Sequence, residues 1–188
     1  TVSYDPDGAK KLLEESGWTD TDGDGYVDKD GQKLSINWLT YPTRLEQPKL
    51  AEYAQATLKD IGIDVQVNNT PDHRTFAENG DFDVYVSSVT TAPTGDPEYF
   101  FTSTVTGSKN YGNYQNEEVT KLTDQLHQTF DKDERGKLAI ELQQDILDDD
   151  AYFFVSHLNM GIVTKSNVKG MAAHPCDYYE ITADLDVE

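Results

Sequence analysis

The chain carries one cysteine, Cys176, in 188 residues, so it can form no internal disulfide and no thiol-rich metal site. Positive charge is scarce as well: 15 Lys and Arg stand against 35 Asp and Glu, a formal charge of -20. Nucleic acids and anionic membranes both require clustered positive charge, so neither is an expected partner. No run approaches the roughly 18 to 20 apolar residues of a transmembrane helix, and the opening "TVSYDPDGAK" has neither the basic nor the apolar region of a secretory signal. Catalytic signatures are also missing. There is no Gly-x-Ser-x-Gly elbow, no His-Glu-x-x-His and no phosphate-cradling loop, and the histidines His73, His127, His157 and His174 are dispersed. Catalysis is not expected.

What is present is enough apolar residue, 36%, to bury one sizeable core, and residues 1–188 are read as a single domain. The chain opens directly on a helix start, which points to a piece of a longer protein. In "YDPDGAKKLLEESGW", Asp5 is the expected N-cap, Pro6 the first helical residue and Gly17 the stop, with Ala9, Leu12 and Leu13 as the buried stripe. "KLSINWLTY" alternates Leu34, Ile36 and Trp38 with polar residues, as a half-buried strand does. Helical periodicity then runs from about 45 to 61 and ends at Gly62. "IDVQV", "DHRTFAEN" and "FDVYVSSV" read as strand, helix and strand. This alternation implies parallel pairing with right-handed crossovers over 34–89. Ligands of such sheets sit beyond the C-terminal ends of the strands, where "TTAPTGDPEYFF" falls. Downstream, 116–128 and 132–149 read as amphipathic helices, the second with Leu138, Leu142, Ile146 and Leu147 inward. "AYFFVSHLNMGIVTKS" reads as a buried strand pair turning near 159–161, with Tyr152, Phe153 and Phe154 packed in the core.

The acidic stretch "DTDGDGYVDKDG" allows two readings. Asp20, Asp22, Asp24, the Tyr26 carbonyl and Asp28, with Gly25 at the bend, match the first half of an EF-hand calcium loop. At position twelve, however, Gly31 replaces the bidentate Glu, and a strand replaces the following helix. The other reading is a self-solvated connection whose "DKDGQK" half is a hairpin with Asp30-Gly31 as the turn pair. A calcium here would be structural. No cofactor is required by anything else in the sequence.

Seven collinear stretches carry a resemblance: "YDPDGAKKLLEESGW", "DTDGDGYVDKDGQKL", "LKDIGIDVQV", "GDFDVYVSS", "APTGDPEYFF", "NYGNYQNEEVTKL" and "DERGKLAIELQQDILDDDAYFFVSH". Together they resemble the peptide and nickel class of extracellular solute-binding proteins of ABC importers. The resemblance implies an α/β fold of the type II periplasmic-binding class, and specifically its C-terminal lobe, a mixed sheet flanked by helices. It also implies a separate N-terminal lobe, a membrane permease as partner, and a location in the periplasm or at the cell surface, the parent being lipid-anchored. The implied solute is a peptide or a peptide-like nickel or metal chelate, enclosed by hinge closure.

In peptide-binding members the strand end corresponding to Val86–Val89 and the loop after it pair with the peptide backbone, which nominates Val89, Thr90, Thr91, Ala92, Pro93 and Thr94 here. The aspartate that commonly holds the peptide amino terminus would fall near Ala92 or Pro93 and is missing, while Asp96 reads as structural. The Ala-Pro-x-x-Asp-Pro spelling is similar to the metal-chelate branch, so both solute classes stay open. His73 occupies the position where peptide binders tend to carry a ligand-facing tryptophan. Tyr99, Lys109, Asn110, Tyr111 and Asn113 complete the candidate cleft with amine, amide and phenol groups suited to carboxylate-bearing ligands. The rival reading, from the acidic loop and net charge alone, is a calcium-dependent extracellular adhesion module.

Overall fold

The computed structural model describes residues 3–159, 161–174 and 181–188; Cys176 lies outside them. Packing divides the chain into two compact units, Thr1–Ser88 and Val89–Glu188. Among the described residues no helix is long and apolar enough to cross a membrane.

The first unit begins with helix α1, Pro6–Glu15, started as expected: an Asp5 carboxylate oxygen accepts the Gly8 N–H at 2.9 Å, and Pro6 needs no N–H partner. The expected stripe is only partly inward. Ala9 and Leu13 are half-buried, Leu12 is 65% exposed, and α1 contributes no fully buried residue. Leu12 lies about 100° around the helix from Leu13, so a helix packed along one narrow line leaves it in water.

A two-stranded ribbon follows, β1 (Asp28–Lys29) against β2 (Gln32–Lys33), antiparallel with Lys29 opposite Gln32. Asp30 and Gly31, with φ of 54° and 75°, form its two-residue turn, the primed geometry that matches strand twist. The sheet proper contains β3 (Ser35–Thr40), β4 (Asp64–Asn69) and β5 (Val84–Tyr85), joined through helices α2 (Glu46–Lys59) and α3 (His73–Asn79). Strand order is β4-β3-β5 and every pair is parallel; antiparallel pairing is confined to separate ribbons. Leu34, Ile36 and Trp38 are half-buried, but the sealed residues are Leu39 and Thr40, each 0% exposed. Successive strand residues point to opposite faces, so burial of both means that β3 is covered on both sides, as a central parallel strand must be.

The third strand is shorter than the expected 82–89. Two residues have ladder geometry, extended by single bonds from Asp83 N–H to Asn37 O and from Val86 N–H to Leu39 O. Among the described residues β5 pairs on one side only, with β3, so its ladder is short. At the α2–β4 junction, Gly62 combines φ of 82° with a close approach: a Cβ there would meet Val27 Cγ1 at 2.9 Å.

The second unit is helical. A short helix α4 (Glu98–Phe100) runs into a π-helical turn (Phe101–Val105), followed by α5 (Glu117–Gln128) and α6 (Lys132–Asp148). Asn116 caps α5 by accepting the Glu118 and Val119 N–H groups, and Asp131 caps α6 in the same way at Asp133 and Glu134. The core is built from Phe100, Phe101, Val105, Val119, Leu122, Leu126, Leu138, Ala139, Leu142 and Ile146. Leu147, one step off that stripe, is half-buried. A second ribbon pairs β6 (Val168–Lys169) with β7 (Asp186–Val187).

The expected buried strand pair over 151–166 is not formed among the described residues. Tyr152 rests against the core and donates its hydroxyl to Thr104 O at 3.0 Å, but Phe153 is 80% and Val163 96% exposed. The aromatic and β-branched residues that favour a strand are present, yet a strand also needs a neighbour to accept its main-chain bonds, and no strand is paired with this segment among the described residues.

Two substitutions check this account by thermal or denaturant unfolding. Gly62→Ala, strained at positive φ and crowded by Val27, should cost about 1–2 kcal/mol. Leu142→Ala, emptying a site with no exposure, should cost roughly 2–5 kcal/mol.

Candidate functional site

In the first unit the C-terminal ends of the parallel strands bring three side chains together. Tyr41 directly follows β3, Tyr85 ends β5, and His73 opens α3. The Tyr41 ring stacks on the imidazole with centroids 4.0 Å apart and an interplanar angle of 21°. His73 Nδ1 lies 2.6 Å from the Tyr85 hydroxyl, so that imidazole nitrogen is committed within the cluster. Tyr41 is itself fixed, its hydroxyl accepting the Ser88 N–H at 3.1 Å. Burial, with the neighbouring Arg74 charge, holds the His73 pKa below the ordinary imidazole value and favours the neutral ring. The same end of β3 is short of hydrogen bonds: Thr40 Oγ1 and, in the first turn of α2, Gln47 Oε1 are buried without a partner among the described residues.

Of this cluster, sequence reasoning found His73 and missed both tyrosines. A positional signal existed for Tyr41, which follows the strand in "KLSINWLTY"; Tyr85 falls inside the expected 82–89 strand, so its place at a strand end was not visible.

In the second unit Val89, Thr90, Thr91 and Thr94 are exposed, and Ala92 and Pro93 half-buried. Gly95 N–H bonds back to Ala92 O at 3.0 Å, closing a turn that delivers the chain to Asp96. There the loop meets an ion-pair hub. Arg135 Nε and Nη2 donate to the two carboxylate oxygens of Asp96 at 3.0 and 2.6 Å, and Nη2 also donates to Glu98 at 2.7 Å. Nη1 donates to the Leu126 and Thr129 carbonyls at the end of α5. His127 Nδ1 lies 2.6 Å from the other Glu98 oxygen. Asp96 is thus structural, as expected, but Arg135 was not singled out from the sequence. Its partner lies 39 residues away, a separation at which spacing carries no information.

The loop after the π-helical turn serves mixed roles. Lys109 Nζ donates to the Tyr99 hydroxyl at 3.1 Å and lies 5.4 Å from its ring centroid, an amine and phenol held as a pair. Asn110 is spent on bracing its own loop: its amide donates to Tyr114 O and its oxygen accepts Tyr114 N–H. Asn113, at φ of 51°, accepts from the Gln115 side chain, and Tyr111 is half-buried.

The acidic loop of the first unit caps itself. Asp20 accepts the Gly23 and Gly25 N–H groups, Asp22 that of Asp24, and Asp28 binds both the N–H and the hydroxyl of Thr21. Oxygens of Asp20, Asp22 and Asp28 lie within 4.8 Å of one another. Asp24 is turned to Lys33, whose hydrogen bond, with that of the Tyr26 N–H, holds the carboxyl below its usual range. Lys33 also sits over the Tyr26 ring.

The Arg135 hub has a definite pH signature. Hydrogen bonds from Arg135 come first in lowering both the Asp96 and the Glu98 pKa. Groups whose pKa falls on folding add stability above the unfolded carboxylate range and lose it as pH drops through the folded values. Arg135→Met should therefore cost about 1–3 kcal/mol near pH 7 for the lost hydrogen bonds, and the gap from wild type should narrow below about pH 4 without closing, because the bonds to the Leu126 and Thr129 carbonyls do not titrate. Thermal unfolding of both proteins between pH 7 and 3 measures this.

Comparison with known proteins agrees with this architecture. The profile for bacterial extracellular solute-binding proteins, family 5 middle region, matches residues 1–112. The oligopeptide-binding protein AppA of Bacillus subtilis is 32% identical over 185 residues, which are 95% of this chain and 34% of AppA. The nickel-binding protein NikA of Staphylococcus aureus is 27% identical over 168 residues, 88% of this chain and 34% of NikA. Among solved structures, AppA in complex with a nonapeptide superposes with a TM-score of 0.67 at 31% identity, covering 79% of this chain and 30% of that one. A nickel ABC transporter protein from Bacillus halodurans gives 0.68 at 32% identity, covering 80% and 32%. The chain thus spans about a third of the length of these relatives. With three parallel strands interleaved with helices, a fold shared with type II periplasmic binding proteins and a profile match over more than half its length, the chain belongs to family 5 of the bacterial extracellular solute-binding proteins.

Proposed function

We propose that this chain is one lobe of the solute-binding component of an ABC importer, working outside the cytoplasmic membrane. In this reading it helps hold a peptide or a peptide-like nickel chelate and hands it to a membrane permease. Both compact units belong to that lobe, and an N-terminal lobe of the same protein folds over the solute by hinge closure. No bond is made or broken in this role, so no residue is assigned to catalysis.

The observation that carries the reading is the Tyr41, His73 and Tyr85 cluster at the C-terminal ends of parallel strands, where sheets of this kind take their ligands. Flat rings and an imidazole nitrogen suit a peptide side chain or a chelated metal alike. Both solute classes have precedent among the relatives: the AppA structure holds a nonapeptide, and a Staphylococcus aureus NikA structure holds Ni(L-His)2. From the second unit we assign solute contact to the exposed stretch Val89–Thr94, by main-chain pairing, and to the Tyr99–Lys109 pair. Asn110 and Asn113 shape that loop, with Tyr111 beside them. The exposed apolar residues Phe153, Phe154, Val155, Leu158, Ile162 and Val163 support the existence of another lobe, since such residues call for a partner surface. Family membership favours this reading over an adhesion module.

For the acidic loop we propose structural calcium as a secondary property, held by Asp20, Asp22 and Asp28. Millimolar calcium should raise the unfolding temperature of the chain. No shift would leave the carboxylates with their self-capping role alone.

The test of the main reading is made in the full-length protein, with a nonapeptide and nickel plus L-histidine as probes in calorimetry. His73→Phe keeps the ring and removes the nitrogen. It should weaken a nickel chelate by about tenfold or more and a peptide by much less. Replacing Thr90 and Thr91 with Trp should weaken either solute while leaving the unfolding temperature within a few degrees. Unchanged binding of both probes in both variants would remove the site assignment.

A further inference from the structure

The loop Val89–Gly95 is exposed at Val89, Thr90, Thr91 and Thr94 and closes on itself through the bond from Gly95 N–H to Ala92 O. The residue that follows it is firmly anchored. Asp96 faces Arg135 across two parallel hydrogen bonds, and Arg135 is the best-buried member of the hub, its side chain 14% exposed against 41% for Asp96. The same guanidinium grips Glu98 at the start of α4 and two carbonyls at the end of α5, while its own main chain lies in the first turn of α6. One rigid, planar group therefore ties the end of the loop to three helices. A bidentate, in-plane contact fixes direction as well as distance, which a single ammonium cannot do.

We propose that Arg135 is a positioning residue for solute binding: without touching the solute, it sets the path of the Val89–Gly95 loop by holding Asp96. The inference rests on the assignment of that loop to solute contact. It differs from a purely structural role, which would lower unfolding temperature and leave the loop and the affinity of the still-folded protein unchanged. Arg135→Lys keeps the charge and loses the fork. Asp96→Asn keeps the shape and weakens the pairing, and serves if the lysine variant does not fold. Leu142→Ala, in the core of the same unit, is the control for lost stability alone.

Two measurements are made well below the unfolding temperature. In NMR spectra of the chain, amide signals of residues 89–95 should shift and lose order in Arg135→Lys and Asp96→Asn, and stay in place in Leu142→Ala. In the full-length protein, affinity for the nonapeptide or nickel–histidine probe should fall about tenfold in the first two variants and by less than about twofold in the third. Non-additive loss in the double variant is expected because both act through one contact. Loop signals that do not move, or affinity equal to that of Leu142→Ala, overturns the inference. If the Thr90 and Thr91 tryptophan variants also bind normally, the loop assignment has fallen too; if they bind weakly while Arg135→Lys does not, only the role of Arg135 has failed.

Discussion

The hydrogen bonding of β3 to both β4 and β5, with Leu39 and Thr40 sealed on successive faces, carries the rest of the first unit. A strand covered on both sides cannot tilt or slide without exposing apolar surface, so the points where β3 and β5 end are fixed in space. Tyr41 and Tyr85 inherit that precision because each stands at a strand end. His73 is brought to them by the short α3 helix, and the stack with Tyr41 follows from the parallel order. A rigid base of this sort holds the three rings in one fixed arrangement.

The acidic excess is handled differently. With a formal charge of -20, most carboxylates have no cation to meet, and many are used instead as caps on main-chain N–H groups. Asp5 and Asp131 start helices in this way, and Asp20, Asp22 and Asp24 accept N–H groups of their own loop. In the second unit Arg135 does more. It gathers two carboxylates and two carbonyls around one guanidinium, at the point where the exposed loop joins the helices. The local helices are ordinary; their mutual arrangement at this corner depends on a long-range ion pair.

Helices and the parallel order of the first unit were legible because their signals are local. The Asp5 cap with Pro6, the repeat through α2 and the Asp30-Gly31 turn are decided within a few residues. Element lengths that depend on a neighbour were not legible. The third strand keeps ladder geometry only at Val84–Tyr85, and the aromatic run after Ala151 has strand chemistry with no strand to join among the described residues. Leu12 misled for the same reason, since a periodic pattern states which face is apolar and not how much of that face finds a partner.

The candidate site divides along that line. Sequence alone determined the αβ alternation, the family likeness, the structural role of Asp96 and the Asp30-Gly31 turn, because propensity, capping and motif spelling act over short distances. Only the tertiary structure decided that Tyr41 and Tyr85 close on His73, that Asn110 braces its own loop, that Asp24 turns to Lys33, and that Arg135 holds Asp96. Those contacts join residues far apart in the chain, and which side chains meet is set by packing in three dimensions, which no local pattern encodes.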